Sequence, residues 1–240
     1  MPTPVAVLVG VAVGMAVGAL QAFLTVTLRS DQVVAGMAVN LVMLALGSFL
    51  LEAVFDSTNG TPAITQLPKW FGHSPLTWLA CVAPFLVYAF LTFTPLGLRW
   101  RAVGEKPAAV AAVGIRVSRL RFLAVCVSGA FAGLGGSALS TATLDRFEHH
   151  MPAGLGFMAV AAMVFGRWSP LGAAAAATFF AFGDALRIGL ASSWPQLLTI
   201  VPQGVLLALP YLLTLVVLAV DRAGNEAPAA LGTSFDPELR

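Results

Sequence analysis

Polar side chains are scarce in this 240-residue chain, so the few that interrupt its apolar runs are where any chemistry has to be sought. Asn40 sits inside one such run and offers both donors and an acceptor. A polar solute could use them, or a neighbouring helix could, through a hydrogen bond that only holds a bundle together. Phe157 presents a ring face that can stack on a planar ligand, although a ring among apolar helices more often simply packs. Asp184 and Arg187 stand one helical turn apart, where local pairing lowers the cost of charge in an apolar setting. Gln21 and Ser128 are weaker candidates, because neighbouring backbone carbonyls can satisfy both. Glu148, His149 and His150 raise the question of a metal, but adjacent loop histidines cannot surround one ion and read better as a solvated loop. The chain has three histidines, no nucleophile motif and no carboxylate pair at a recognisable spacing. A phosphate loop of the form Gly-x4-Gly-Lys-Ser/Thr is also absent, and the lysines are Lys69 and Lys106 alone. The expectation is a protein that is not itself an enzyme and carries no cofactor or metal.

The elements that must position these residues are long apolar segments. Hydrophobic residues make up 58% of the chain and charged ones 10%, against about a quarter charged in a soluble domain. The net charge of +2 is too small to attract nucleic acid. Cys81 and Cys126 fall inside apolar runs, where a thiol behaves as a small hydrophobe. Crossing a bilayer takes about 20 apolar residues as a helix, because the hydrocarbon holds no water to satisfy open backbone groups. On that basis the predicted fold class is all-α, a polytopic transmembrane bundle of about seven hydrophobic segments: 4–27, 32–55, 75–96, 122–141, 154–165, 171–186 and 197–220. The fifth is short for a full crossing, as a re-entrant or tilted segment would be. Gly10, Gly14 and Gly18 recur on one face of the first segment, and Gly129 and Gly133 on one face of the fourth, which suits close helix contact. No basic residue precedes the first run, and it is too long for a signal-peptide core, so it reads as a retained span.

Charge orients the bundle. Arg99, Arg101, Lys106, Arg116, Arg119 and Arg121 cluster between the third and fourth segments, six of the thirteen cations, which the positive-inside rule places in the cytoplasm. Each crossing then reverses side, so Arg29, Arg167, Arg222 and Arg240 fall inside as well, leaving Lys69, Arg146 and Arg187 outside. The same alternation puts Met1 outside with nothing ahead of it, and missing upstream sequence is expected on that ground.

Within the basic stretch, residues from Arg101 to Ile115 read as a short cytoplasmic helix bounded by Gly104 and Gly114. Pro107 suits its first turn, Glu105 the negative charge favoured at a helix start, and Ala108 and Ala109 begin a smooth Ala-rich face. Such an element could dock into a partner groove, or be an ordinary loop whose alanines reflect helix propensity.

A resemblance adds to this reading. Gly97-Leu-Arg-Trp-Arg-Ala-Val-Gly-Glu-Lys-Pro-Ala-Ala-Val-Ala-Ala-Val-Gly-Ile115 closely resembles the cytoplasmic loop of ATP-binding-cassette importer permeases for simple sugars and nucleosides, with branched-chain amino-acid permeases as more distant relatives. Ser30-Asp-Gln-Val-Val-Ala-Gly-Met-Ala-Val-Asn40, Gly156-Phe-Met-Ala-Val-Ala-Ala-Met-Val-Phe-Gly-Arg-Trp-Ser-Pro-Leu-Gly172 and Ala227-Pro-Ala-Ala-Leu-Gly232 match the same group in the same order. The resemblance implies a multi-pass permease of the bacterial inner membrane, with a permease domain at 1–222, a coupling loop at 99–121 and a cytoplasmic tail at 223–240. It implies cytoplasmic ATPase subunits, a second permease subunit and an extracytoplasmic substrate-binding lipoprotein as partners, and alternating access as the mechanism. Arg101, Gly104, Glu105, Lys106, Pro107, Ala108, Ala109, Gly114 and Ile115 would then be the ATPase-coupling residues. Asn40, suited to a ribose hydroxyl or base edge, would line the substrate path with Phe157 and Asp184. The chain departs from the group at its start, where an interrupted helix with a Ser-Gly-Val-Asn-Ile-Gly-like signature is expected and has no counterpart. An ATP-independent secondary transporter or channel is the alternative from another class, opposed by the scarcity of acids inside the spans.

Overall fold

The computed structural model describes residues 3–64, 66–152, 154–193, 227–233 and 235, which are helical apart from connecting loops and two isolated β-bridges. The chain divides into two compact units, Met1–Ala153 with Ala229–Arg240, and Gly154–Pro228.

In the first unit α1 (Thr3–Ala22) runs on through a five-residue π-helical turn, Phe23–Thr27. Helix α2 (Gln32–Phe55) starts at Asp31, whose carboxylate accepts from the backbone N–H groups of Val33 at 2.8 Å and Val34 at 3.0 Å. These are donors with no partner inside the helix, so Asp31→Ala is expected to lower stability by about 1 kcal/mol, measurable as a drop in thermal midpoint of the purified protein in detergent. Helix α3 (Pro75–Phe93) begins on the Ser74 cap with Pro at its first turn. Helices α4 (Pro95–Glu105), α5 (Pro107–Ala112) and α6 (Val117–Ala138) follow, and α6 again ends in a π-helical turn, Leu139–Thr143.

Thr3–Thr27, Gln32–Phe55, Pro75–Phe93 and Val117–Thr143 are each long and apolar enough to cross a membrane. Most of their apolar side chains are exposed. No residue of α3 is buried, and in α2 only Ala35 and Leu51 are. A water-soluble fold would bury such faces, whereas helices bathed in hydrocarbon have no reason to.

The exception is the tight antiparallel pairing of α1 with α6. A Cβ built on Gly10 would meet Ser137 and Gly133, one on Gly14 would lie 2.7 Å from the Gly133 Cα, and one on Gly18 would lie 2.8 Å from the Val125 carbonyl oxygen. Backbone meets backbone at Gly14 and Gly18 because glycines carry no side chain there, and this contact replaces a hydrophobic driving force that lipid does not supply. The two helices also form an internal repeat of opposite direction. Thr25 Oγ1 donates to the Gln21 carbonyl at 2.8 Å and Thr141 Oγ1 to the Ser137 carbonyl at 2.7 Å. The residues that leave the two π turns, Arg29 and Asp145, both adopt left-handed backbone, with φ of 55° and 57°. The local sequences Leu24-Thr-Val-Thr-Leu-Arg29 and Ser140-Thr-Ala-Thr-Leu-Asp145 carry this repeat, a signal that reading for spans alone passes over.

Loop contacts sort the ends of this unit. Val26, Thr27 and Arg29 share a cavity of about 350 Å³ with Ser118, Arg119 and Phe122, so the link after α1 lies at the basic end of α6. At the opposite end the loops after α2 and α6 zip together. Thr61 N donates to the Phe147 carbonyl at 2.9 Å, Ile64 N to Asp145 at 2.7 Å and His149 N to Asn59 at 2.9 Å.

In the second unit α7 (Leu155–Phe165) turns through Gly166–Ser169 into α8 (Pro170–Ser193). Ser169 Oγ accepts from Gly172 N at 3.2 Å and Pro170 opens the helix, while Phe165 meets Phe180 edge to face at 5.7 Å. At eleven residues, α7 is about 16 Å long, half a hydrocarbon core.

The described residues bear on the predicted segments, and two of their boundaries need correcting. Of the seven predicted segments the described residues contain four long apolar helices and two shorter ones, and the segment at 197–220 lies outside the described residues. The third segment stops at Phe93, not Leu96, because Pro95 forces Thr94 into extended backbone and the Thr94 side chain then caps a new helix by accepting from Gly97 N at 3.1 Å. The fourth begins at Val117, five residues before the predicted start, carrying Arg119 and Arg121 on its first turns.

Candidate functional site

The residues expected to couple to an ATPase gather on α4, α5 and the start of α6. They do not form one helix from Glu105 to Gly114. The residue before a proline is driven out of helical backbone, so Lys106 (φ −138°, ψ 78°) separates α4 from α5. Glu105 therefore closes α4 instead of opening a helix, and the electrostatic reason first assigned to it does not hold. Pro107 does open α5 as its residue type predicts. Gly114, at φ 81°, closes it: Gly114 N donates to Ala111 O at 2.9 Å and Ile115 N to Val110 O at 3.3 Å, the paired bonds of a left-handed helix stop. Only glycine takes that backbone without cost, which is why the chain can turn there directly into α6.

Val103, Val110, Val117 and Leu120 form the buried cluster that ties the three helices together, with Trp100, Ala111 and Ile115 packed against it. Six residues of α5 could not hold a helix by themselves, so this cluster gives the module its shape. Arg101, Glu105, Lys106, Ala108, Ala109 and Gly114 are all exposed around it. Between them opens a mainly apolar cavity of about 400 Å³, lined by Ala102, Glu105, Lys106, Ala109, Val113 and Ile115 among others. A charged rim, an apolar floor and a rigid short helix make a surface that a protein partner can grip. One polar atom inside the module is unpaired: the Trp100 indole N–H is buried with no hydrogen-bond partner, while its ring meets Phe90 edge to face at 5.4 Å. Trp100→Phe keeps an aromatic ring, though a smaller one, and deletes the orphan donor, so thermal stability in detergent is expected to hold within about 1 kcal/mol or rise.

The residues expected along a solute path are not brought together in one unit. Asn40 is exposed on α2 in the first unit, whereas Phe157, 80% exposed on α7, and half-buried Asp184 on α8 belong to the second. The Arg187 side chain lies outside the described residues. Gln21, set aside on sequence grounds, is more interesting in the fold: its Oε1 is buried without a partner, beside Gly36 of α2. A buried, unpaired amide oxygen costs about 1–3 kcal/mol, so Gln21→Met is expected to raise the thermal midpoint. No local pattern distinguishes Gln21 from a packed residue, since its neighbour Gly36 comes from another helix.

Glu148, His149 and His150 take loop roles. Glu148 pairs with Arg146 at 3.0 Å, His149 Nδ1 lies 3.2 Å from Ser48 Oγ, and the two imidazoles stack edge to face at 4.1 Å. Among the described residues no three metal-binding side chains converge.

With this geometry in place, the comparisons with known proteins become informative. Residues 1–218 match the model of a family described as branched-chain amino acid transport system / permease component. The chain is 34% identical to the guanosine ABC transporter permease protein NupQ of Bacillus subtilis, over 92% of this chain and 75% of that protein. It is 33% identical to the nucleoside ABC transporter permease protein NupC of Lactococcus lactis, over 95% of this chain and 76% of that one. No solved structure matches significantly. Long apolar helices, a cation-rich end and this match together place the chain in a bacterial membrane as a noncatalytic, multi-pass subunit of an ABC importer. The chain belongs to the branched-chain amino acid transport system / permease component family.

Proposed function

We propose that the protein is the permease subunit of an ATP-driven importer of nucleosides or simple sugars. In this reading about seven segments of residues 1–222 form the membrane domain and residues 223–240 a cytoplasmic tail. The observation that carries it is the module of α4, α5 and the start of α6, which combines an exposed rim of Arg101, Glu105, Lys106, Ala108 and Ala109 with a rigid glycine stop at Gly114. An ATPase subunit grips this module from the cytosol, and closure of the ATPase drives the helices between outward-open and inward-open arrangements. The pairing of the loops at 59–64 and 145–149, and the meeting of Arg29 with Arg119, support the assignment of the first group to one side and the second to the other. The substrates named for the relatives, guanosine and nucleosides, support this solute class.

The test is uptake by the chain co-expressed with its ATPase, its permease partner and its binding protein. Labelled guanosine, ribose and leucine are supplied in parallel, with and without ATP. Uptake of guanosine or ribose that requires ATP and the ATPase supports the reading. Leucine uptake would favour the amino-acid reading that the family description keeps open, and ATP-independent uptake driven by an ion gradient would overturn the importer assignment altogether.

A further inference from the structure

A segment near the carboxyl terminus lies across the module that α4, α5 and α6 form, more than a hundred residues after it in sequence. Residues Ala229 to Gly232 make a compact turn, closed by Thr233 Oγ1 donating to the Ala230 carbonyl at 2.9 Å, with Gly232 in left-handed backbone at φ 74°. Three contacts then reach three helices. Ala230 N donates to the Gly104 carbonyl at 3.0 Å. That carbonyl belongs to the last turn of α4, where the helix offers no further N–H to bond it because the chain breaks at Lys106. Arg121 Nη1, on α6, donates to the Thr233 carbonyl at 2.7 Å. Phe235 packs against the cluster of Val103, Val110, Val117 and Leu120, which α4, α5 and α6 share.

We infer that residues 229–233 with Phe235 are a strap that sets the angle of α5 against α4 and α6, and so determines how faithfully movement of a docked ATPase reaches the membrane helices. This inference rests on the importer reading for its functional half, but its structural half stands apart from it. The need for a strap is physical. Helix α5 has six residues and one buried side chain, Val110, and is joined to its neighbours through Lys106 and Gly114, both of which are non-helical. A six-residue helix anchored by one buried side chain can tilt under a push instead of transmitting it. The strap removes that freedom by bonding the end of α4, holding the start of α6 and adding a ring to the cluster beneath α5. It holds on through the Ala230 N–H, the Thr233 carbonyl and one aromatic ring, so it grips the scaffold and leaves Glu105, Lys106, Ala108 and Ala109 open for the partner. Phe235 and Arg121 are thus positioning residues for coupling.

The experiment uses the full importer complex in proteoliposomes, with Phe235→Ala, Phe235→Leu and Arg121→Ala in the permease. Three quantities are read: amide hydrogen exchange of residues 107–115, ATP hydrolysis, and solute uptake. Phe235→Ala and Arg121→Ala are each expected to raise exchange in 107–115 at least tenfold and to lower uptake per ATP hydrolysed about fivefold or more, with the ATPase still bound. Phe235→Leu keeps an apolar anchor and is expected to restore most of both. Unchanged exchange in both alanine variants would overturn the strap, whatever transport does. Raised exchange with uptake per ATP unchanged would overturn its role in coupling. If the wild-type complex shows no ATP-dependent uptake, the importer reading fails while the exchange result still decides the strap.

Discussion

Gly14→Leu abolishes the folded permease, whereas Gly136→Leu, on the facing helix but off the seam, leaves it intact: this is the largest structural effect expected of any single substitution here. A Cβ at position 14 would already lie 2.7 Å from the Gly133 Cα and 2.8 Å from its nitrogen, both backbone atoms that cannot swing aside. A leucine adds three further carbons to that collision, so α1 and α6 must separate along the whole seam. Overpacking of this kind costs about 3 kcal/mol or more. In lipid no hydrophobic effect between helices is left to hold the pair once backbone contact is lost. Gly136 has nothing within 4 Å of the position a Cβ would take, so its side chain enters open surroundings. Membrane yield and a monodisperse peak in detergent are the readouts. Gly14→Leu should fall at least tenfold below wild type and Gly136→Leu should stay within twofold. Equal behaviour of the two would mean that the glycine seam is not what joins α1 to α6.

The second large effect is on transport and leaves folding alone. Gly114→Val should lower uptake more than tenfold, Gly114→Asn should retain most of it, and Ala109→Arg should match the valine variant by a different route. At φ 81° the Gly114 position has open space around it, so a substitution meets no clash and its cost is purely that of left-handed backbone. A β-branched side chain resists that conformation by roughly 1–2 kcal/mol, while asparagine visits it readily. Valine therefore reorients α5 relative to α6 instead of unfolding the bundle. Ala109 is exposed and borders the cavity between α4 and α5, so arginine there leaves the cluster intact and fills the surface proposed for the ATPase. A disturbed angle and a blocked surface converge on one outcome, which copurification of the ATPase separates. Ala109→Arg should lose the ATPase outright, and Gly114→Val should weaken it. Full uptake in both variants would remove this module from the coupling mechanism.

Taken together, the contacts divide the labour between the two ends of the first unit. At one end cations and an exposed helical module await a partner. At the other, the paired loops at 59–64 and 145–149 hold the ends of α2 and α6 together through backbone hydrogen bonds. The inverted repeat of α1 and α6 explains why the two ends are built alike: each π turn carries the same threonine bond, and each is followed by a left-handed residue. π-Helical turns recur at functional sites in helical proteins, and their placement at opposite ends of the closest helix pair puts a local irregularity wherever that pair would have to flex.

The class of the protein was decided by the sequence alone, because crossing a bilayer depends on the summed hydropathy of about 20 consecutive residues and on the charges at their ends. Segment 32–55 matches α2 to the residue for that reason, and 75–96 departs from α3 only at its far end, where Thr94 caps a new helix that Pro95 opens. The split at Lys106 was also local, written in Pro107, although the Ala-rich run obscured it. What only the tertiary structure could decide is which distant backbones meet: Gly14 with Gly133, Gly104 with Ala230, Arg121 with Thr233. Glycine spacing marks a helix face as able to pack but not its partner, and a backbone carbonyl has no side-chain identity to read. These pairings depend on how the chain returns through space, so they leave no trace in the order of its residues.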